Sequence, residues 1–257
     1  MGESVLAGML DAQGSPSGTA VVEQRPDRAR ELADRYQVQV AATPEDVVGS
    51  DTDVLVVAVK PHDVADALAA VATSLPSGCV VVSVAAGVST ASMEDALPVG
   101  QPVVRAMPNT PALVGAGVTA VCAGQHTTGD HLDVAEALLS ALGAVVRVPE
   151  TQMDAVAAVS GSGPAYVYLV AEAMIEGGVR VGLPRDLATA LTRATIAGAA
   201  RLWEETGEHP GVLRERVTSP GGTTAAALHA LESGGLRAAF LDAVVANRDR
   251  SAELGGR

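Results

Sequence analysis

The sequence predicts a two-part α/β protein, with a doubly wound sheet over residues 1–149 followed by an all-α domain over residues 150–257. Short Val-rich runs alternate with amphipathic helical segments up to about Glu150, as in a largely parallel sheet flanked by helices. Beyond that residue the strand signals stop and helical periodicity continues to Leu254. The chain is 48% hydrophobic but only 2% aromatic, so its core must consist of small aliphatic side chains that let backbones pack closely.

Seven short runs rich in β-branched residues are predicted as strands: Thr19–Glu23, Val38–Ala41, Asp53–Ala58, Val80–Ser83, Pro102–Ala106, Val118–Ala123 and Ala144–Val148. The third run is apolar without alternation, as expected for a strand covered on both faces. Helices between the strands are predicted to begin at Pro26, Pro44, Pro61, Ser89 and near Asp130. Proline is well placed in a first helical turn, where its missing N–H is not needed.

The second part contains five predicted helices, and its Ala- and Gly-rich faces favour close contact between helices. They run from Pro164 to about Val181, then over Arg185–Thr206, Gly211–Val217, Thr224–Glu232 and Leu236–Glu253. So few large side chains leave little to bury within this part. We therefore predict that it buries its surface against a second copy of the chain, in a homodimer or a larger assembly.

Composition excludes several classes of partner. The net charge is −13 and no Lys/Arg run is present, which argues against nucleic-acid binding. Cys79 and Cys122 lie in Val- or Ala-rich runs and are predicted to be buried thiols, and no metal-ligand spacing is present. Pro, Gly and Ser interrupt every apolar run before it reaches membrane-spanning length, and the chain starts without a signal-peptide pattern. We expect a soluble, cytoplasmic protein with no membrane partner and no metal.

The beginning of the chain lacks part of a familiar motif. A dinucleotide-binding (Rossmann-like) fold normally opens with a strand, then Gly-x-Gly-x-x-Gly, then a helix. Here Met1-Gly2-Glu3-Ser4 reads as the start of that helix, with Gly2 as the last glycine of the motif. We expect the strands beside the absent one to be unpaired. Either the gene start was placed too far downstream or the chain is a truncated, inactive relative; we favour the first because every later motif is intact.

The segment Ser219-Pro220-Gly221-Gly222-Thr223-Thr224 joins two predicted helices. Its proline fixes one φ, and its two glycines permit positive φ and close approach of a ligand to the backbone. The last three residues would open the next helix, whose free N–H groups favour a carboxylate or phosphate. The alternative is an ordinary N-cap, since threonine before an Ala-rich helix serves that purpose.

A second turn of small residues, Ser160-Gly161-Ser162-Gly163-Pro164-Ala165-Tyr166, also opens a helix. Its proline stands in the first helical turn. Two such starts in one helical half are less easily explained by capping alone.

Three segments at the ends of predicted strands are candidates for cofactor binding, because ligands bind at the carboxyl edge of such sheets. They are Glu23-Gln24-Arg25, Ala58-Val59-Lys60-Pro61 and Ala85-Ala86-Gly87. An acidic residue in the first segment suits the ribose of NAD and an arginine suits the phosphate of NADP, so Glu23 and Arg25 leave the choice open. Lys60 either reaches a ribose or phosphate or is a surface charge.

Asn109 follows the fifth predicted strand. Its amide either holds the nicotinamide ring or the substrate, or forms a simple Asn-Thr turn.

Taken together, these motifs resemble the pyrroline-5-carboxylate reductase family. The resemblance rests on Ser160–Tyr166, Val217–Thr224, Ala58–Pro61, Ala85–Gly87 and Arg105–Thr110, and it covers nearly the whole chain except its beginning. It implies an oxidoreductase that reduces 1-pyrroline-5-carboxylate to L-proline, the last step of proline biosynthesis. It also implies NADPH as the usual donor, with NADH possible, and an intertwined dimer in which the carboxylate-binding turn is contributed across the interface.

The resemblance also suggests roles for individual residues. The substrate carboxylate would lie on backbone N–H groups around Ser219–Thr223, Thr224 would hydrogen-bond the ring nitrogen, and Ser160–Gly163 would form the facing wall. Glu150 matches a substrate-side carboxylate, or it is a partner for a helix dipole. Water can protonate the imine, so no strong protein acid is needed, and orientation of two reactants becomes the main task.

The sequence leaves two other functions open. A β-hydroxyacid dehydrogenase would need a lysine on the helix after Glu150, but Lys60 is the only lysine in the chain. The other is a truncated relative that only dimerises through its helical part.

Overall fold

The structure is a computed structural model that describes residues 1–255, apart from the side chain of Gln13. By its internal contacts the chain forms two compact units. The first, which we call the sheet unit, contains residues 1–162 and the C-terminal residues from Asn247 onward. The second, the helical unit, contains Gly163–Ala246. The segment between Glu150 and Ser162 therefore packs with the sheet, although it contains no strand.

All seven predicted strands are present. They are β1 (Ala20–Val22), β2 (Gln39–Ala41), β3 (Val54–Val57), β4 (Val80–Ser83), β5 (Val103–Pro108), β6 (Gly117–Ala123) and β7 (Gly143–Arg147). Five of them form a sheet in the order β3-β4-β5-β6-β7, in which only the β5–β6 pair is antiparallel. The mixed α/β fold with a largely parallel sheet is as predicted.

The remaining two strands, β1 and β2, form a separate parallel pair. Within the described residues, β1 and β3 share no ladder, so each has an open edge. This confirms the expectation that the strands neighbouring the first position of the fold are unpaired. The first helix, α1 (Gly2–Gln13), nevertheless packs on the end of β3: a Cβ added at Gly2 would lie 2.9 Å from the Cβ of Ala58.

In the part of the chain that the structure describes, ten further α-helices follow: α2 (Pro26–Tyr36), α3 (Val64–Val71), α4 (Thr90–Glu94), α5 (Gly129–Leu139), α6 (Met153–Val156), α7 (Gly163–Arg180), α8 (Arg185–Thr206), α9 (Pro210–Arg216), α10 (Thr223–Ser233) and α11 (Leu236–Leu254). The helix predicted at Pro44 is wrong: only a 3-10 turn, Pro44–Asp46, forms there. Two β-branched valines and Gly49 follow it, and these are weak helix formers. The helix predicted at Pro61 begins with a 3-10 turn, Pro61–Asp63, before α3.

The core lies on both faces of the five-stranded sheet. Val80 and Val82 of β4 face one apolar cluster with residues of α1 and α5, while Val81 faces another with residues of α3. This accounts for the unbroken apolar runs, since a parallel sheet is covered on both sides. Cys79 and Cys122 are buried thiols, as predicted, and burial raises the pKa of Cys79 to about 11.

The helical unit buries little of its own surface. Its only buried residues are Ala188 and Thr192, both on α8. Many large apolar side chains are exposed instead, including Leu169 at 67% and Leu241 at 64%. Within residues 1–255, none of the helices combines the length and apolar character needed to cross a bilayer.

Candidate functional site

The turn before α10 has the geometry that its proline and glycines predict. The amide of Gly222 donates to the carbonyl of Ser219 at 3.0 Å, and Gly221 has φ +69°. Proline at the second position and glycine with positive φ at the third describe a type II turn. The turn is exposed at Pro220 and Gly221, so solvent reaches it directly.

The start of α10 is not closed by a side chain. Its N-cap is Gly222, with φ −79° and ψ 177°, which has no side chain to accept a hydrogen bond from the first helical turn. Thr223 and Thr224 therefore occupy the first two helical positions, and the interpretation of threonine as an ordinary N-cap is wrong. An uncapped helix start leaves N–H donors and a partial positive charge, which favours an anion.

The second predicted segment contains a π-helical turn, Ala157–Gly161, between α6 and α7. The amide of Ser162 donates to the carbonyl of Ala157 at 2.9 Å, which is the wide spacing of a π-helix. The hydroxyl of Ser160 donates to the carbonyl of Val156 at 3.0 Å, and the hydroxyl of Ser162 accepts from Asn247 Nδ2 at 2.8 Å. Such turns are rare and occur often at functional sites.

Asn109 contacts this π-helical turn. Its Nδ2 donates to the carbonyl of Ser160 at 3.1 Å, and its Oδ1 accepts from the amide of Val118 at 3.0 Å. The residue is only 8% exposed. Both ends of its amide thus bind backbone groups of the sheet unit, and its role in holding the nicotinamide ring stays a prediction.

Glu150 lies in a cluster with Thr90 and Arg105. Its carboxylate accepts from the amide of Thr90 at 2.8 Å and from the Thr90 hydroxyl at 2.6 Å. It also pairs with Nη1 of Arg105 at 3.1 Å, and the Arg105 side chain is 4% exposed. Burial alone would raise the pKa of Glu150, but the bonds from Thr90 and Arg105 outweigh it and lower the pKa.

Sequence reasoning foresaw only part of this cluster. A dipole partner was one alternative for Glu150, and the carboxylate does bind the N-terminal turn of a helix, namely α4. Its predicted contact with substrate stays untested. Arg105 and Thr90 were missed as its partners, although a lone arginine inside the apolar strand β5 is the signal that a buried counter-charge must be near.

The predicted cofactor segments of the sheet unit lie at exposed ends of strands. Ala58, Val59, Lys60 and Pro61 are exposed after β3. Gly87, after β4, has φ +77° and open space where a side chain would stand. Ala85 is buried, and its amide donates to Ser83 Oγ at 3.3 Å. The far end of α11 approaches the same loop, because a Cβ added at Gly255 would lie 3.3 Å from the carbonyl of Gly87.

At the tip of β1, Glu23 and Arg25 bind each other. Oε1 of Glu23 accepts from the Arg25 amide at 3.0 Å and from its Nε at 3.2 Å, and the Arg25 side chain is 75% exposed. The hydrogen bonds from Arg25 lower the pKa of Glu23, despite the opposing effect of its partial burial. Gln24 between them is exposed.

In the first turn of α1, Glu3 is held by groups from α2. The Tyr36 hydroxyl donates to Glu3 at 2.9 Å, and Arg28 and Arg35 pair with its carboxylate. The hydrogen bonds from Tyr36 and Arg28 lower the pKa of Glu3. Its charge is thereby compensated beside the open start of α1. Residues 1–255 contain no cluster of three or more His, Cys, Asp or Glu side chains suited to a metal.

Comparisons with known proteins find similar proteins over nearly the whole chain. Residues 150–254 match the family described as pyrroline-5-carboxylate reductase dimerisation, and residues 1–87 match the family described as NADP oxidoreductase, coenzyme F420-dependent. Pyrroline-5-carboxylate reductase of Corynebacterium melassecola is 43% identical, covering 99% of this chain and 95% of that protein. The enzyme of Mycobacterium tuberculosis is 45% identical, covering 99% of this chain and 93% of that protein.

Solved structures show the same likeness. Pyrroline-5-carboxylate reductase from Coxiella burnetii superposes with a TM-score of 0.93 at 36% identity, covering 98% of this chain and 94% of that one. The Plasmodium falciparum enzyme, solved with NADP bound, gives a TM-score of 0.85 at 27% identity, covering 99% of this chain and 94% of that one.

Removing the charge of Glu150 should destabilise the sheet unit. Glu150→Gln leaves the guanidinium of Arg105 buried without a counter-charge, and we expect a loss of about 3 kcal/mol in the free energy of unfolding. Urea denaturation at pH 7 measures it. Glu136→Gln is the matched control, because it removes a carboxylate from an exposed pair with Arg147 and should change stability far less. Equal losses of unfolding free energy in the two variants would show that the buried Glu150–Arg105 pair stabilises the protein no more than the exposed pair does.

The stability difference between the wild type and Glu150→Gln should depend on pH. The folded-state pKa of Glu150 lies below its ordinary value of 4.5, so its contribution is complete above that pH. It is lost as the pH falls through the folded-state pKa and the carboxyl becomes protonated. Unfolding curves between pH 7 and pH 3 should therefore converge at the acid end, whereas a constant gap would show that charge is not the cause.

Proposed function

The chain belongs to the pyrroline-5-carboxylate reductase family, and on that premise we propose that it reduces 1-pyrroline-5-carboxylate to L-proline with NADPH. The observation that carries the proposal within this structure is the uncapped start of α10 behind the type II turn Ser219–Gly222. A small cyclic imine with one carboxylate needs a compact anion site and one group at its ring nitrogen. This turn offers backbone amides and two threonine hydroxyls within six residues.

The substrate would bind by its carboxylate. The amides at the start of α10 carry the partial positive charge of the helix, which stabilises an anion without a charged side chain. Thr224, on the second helical position, is half-buried, and its hydroxyl oxygen would accept the N–H of the protonated ring nitrogen. Holding the ring in this protonated form keeps the imine carbon electrophilic, so orientation supplies most of the catalysis.

The residues of the sheet unit fit a nicotinamide dinucleotide. The start of α1 has no side-chain cap, its Glu3 is neutralised by arginines, and the ends of β3 and β4 present small residues to solvent. Gly2, Ala58 and Gly87 would lie along such a ligand, with Lys60 near a ribose or phosphate. The cofactor supplies the hydride.

The arrangement at the tip of β1 favours NADPH over NADH. Glu23 would take the ribose hydroxyls of NADH, but its carboxylate is engaged by Arg25. The Arg25 guanidinium is mostly exposed and is suited to an additional phosphate. The Plasmodium falciparum relative with bound NADP supports the same choice.

The helical unit would form the dimer. It exposes an apolar groove lined by Leu228, Leu231, Leu236, Phe240, Leu241 and Val244. Exposed apolar surface on this scale marks an interaction site, and the dimerisation family matches this part of the chain. We expect the α10 turn of one protomer to serve the cofactor domain of its partner, so that a monomer is inactive.

The activity is tested by following NADPH oxidation spectrophotometrically. Oxidation that depends on 1-pyrroline-5-carboxylate and yields proline supports the proposal. Oxidation coupled instead to a 3-oxo acid, the substrate that a β-hydroxyacid dehydrogenase would reduce, or no turnover with either substrate, would overturn it.

Replacing the threonine at the ring nitrogen should slow the reaction selectively. Thr224→Ala removes one hydrogen-bonding group at the reacting centre, and we expect kcat to fall roughly 100-fold while the Kd of NADPH, from fluorescence titration, stays unchanged. Thr206→Ala is the control, because that hydroxyl bonds backbone groups at the end of its own helix, the carbonyls of Leu202 and Trp203 and the amide of Glu208. Wild-type turnover in Thr224→Ala would remove this residue from the site.

A charge in the apolar groove should prevent assembly. Leu241→Glu places a carboxylate on a side chain that is 64% exposed in the isolated chain, and we expect monomers without reductase activity. Val99→Glu is the matched control, because Val99 is 98% exposed on a loop of the sheet unit. Sedimentation velocity measures assembly and the NADPH assay measures activity; an active monomer would contradict the proposed sharing of the site.

A further inference from the structure

One face of β5 contacts the segment that follows β7. Arg105, Met107 and Asn109 alternate along the strand and the residue after it, so they lie on the same side of the sheet. Arg105 binds Glu150, and Asn109 binds the carbonyl of Ser160. Met107 lies between them against the π-helical turn, since a Cβ added at Gly161 would be 2.8 Å from Met107 Cε. Val104 and Ala106 point to the opposite face and its apolar core.

The bond from Asn109 to Ser160 meets a need created by the sequence. In a regular helix the carbonyl of Ser160 would accept from the amide four residues later, but residue 164 is proline and has no N–H. A partly buried carbonyl without a donor is unfavourable. The side-chain amide of Asn109 supplies the donor, and its other end is fixed to β6 through Val118.

We infer that Asn109 is a positioning residue for the reductase reaction, fixing the π-helical turn that presents Ser160, Gly161 and Ser162 to the substrate. The inference rests on the proposed function for the identity of the reaction. Asn109 acts through the backbone of Ser160, because both polar ends of its side chain are already engaged by protein groups. It is therefore assigned neither to direct contact with substrate nor to direct contact with the nicotinamide ring.

Small displacements at this place should slow the hydride step. Orientation of two bound reactants depends on sub-ångström placement, and a shift of about 1 Å is sufficient for a loss of order 100-fold in rate. Releasing the Ser160 carbonyl would free the turn on its β5 side, while Asn247 still holds Ser162 from α11. The effect should fall on kcat, because the cofactor segments of β1, β3 and β4 are untouched.

Asn109→Asp tests the inference with the least change of shape. The aspartate keeps an acceptor for Val118 but loses the donor to Ser160. We expect kcat with 1-pyrroline-5-carboxylate to fall about 10-fold or more, with the KM and Kd of NADPH changed less than about 2-fold. Hydrogen exchange should also become faster at the amides of residues 157–163, a readout that does not depend on activity.

Gln101→Glu is the matched control. Gln101 is 3% exposed and lies before the other end of β5, and its side-chain amide also binds backbone groups, donating to the carbonyls of Pro76 and Cys79. The same amide-to-carboxylate change there should lower thermal stability to a similar degree. It should leave kcat, KM and the rate of amide hydrogen exchange at residues 157–163 as in the wild type. Asn109→Ala provides a second variant if the aspartate prevents folding.

Four results would overturn the inference. Weakened NADPH binding in Asn109→Asp would assign the residue to the cofactor instead. A similar loss of kcat in Gln101→Glu would reduce the effect to general stability. Unchanged exchange at the π-helical turn, or unchanged kcat, would show that the bond to Ser160 does not fix the turn. Lack of wild-type turnover would refute the proposed function, and the exchange experiment would still decide whether Asn109 holds the turn.

Discussion

The buried guanidinium of Arg105 constrains how the chain packs after β7. A charge that is 4% exposed in the middle of a strand must have a counter-charge and further hydrogen bonds, because desolvation of an unpaired ion is prohibitive. Glu150 supplies the charge and Thr90 completes the coordination of its carboxylate. The first residues after β7 are thereby fixed to β5 and to the start of α4. The π-helical turn follows on the same face of β5, so this ion pair also helps to fix the position of the turn.

The two signature turns differ in how their polar groups are satisfied. The hydroxyls of Ser160 and Ser162 and the carbonyl of Ser160 all bind protein groups, which holds this surface rigidly in place. At the start of α10 the helix has no side-chain cap. Preorganised, engaged groups suit a surface that orients a reactant, whereas open donors suit a surface that binds one. The sequence alone showed two similar Gly-rich helix starts, and only the hydrogen bonds of the structure distinguish them.

What the sequence predicted is mostly local. The strands, the turn at Pro220 and Gly221, and the helix starts at Pro26 and Ser89 follow from side-chain periodicity and from the φ preferences of proline and glycine. The wrong prediction of a helix at Pro44 also has a local cause. Weak helix formers follow the turn there, so the helix does not extend beyond a single turn. Thr90 and Arg105 are 60 and 45 residues from Glu150, and Ser160 is 51 residues from Asn109, so these pairs depend on sheet order. No periodicity in one sequence encodes that order.

The π-helical turn shows how a local departure can nevertheless be traced to the sequence. Pro164 cannot supply the amide that Ser160 requires, so a regular helix through this segment would leave one carbonyl without its donor. The chain resolves this with a wider turn and a side-chain donor from another element, and that donor must lie on the face of β5 already occupied by Arg105. A proline that merely started a helix would need no such partner. The requirement for Asn109 therefore arises from Pro164, and substitution of either residue without the other should disturb the same turn.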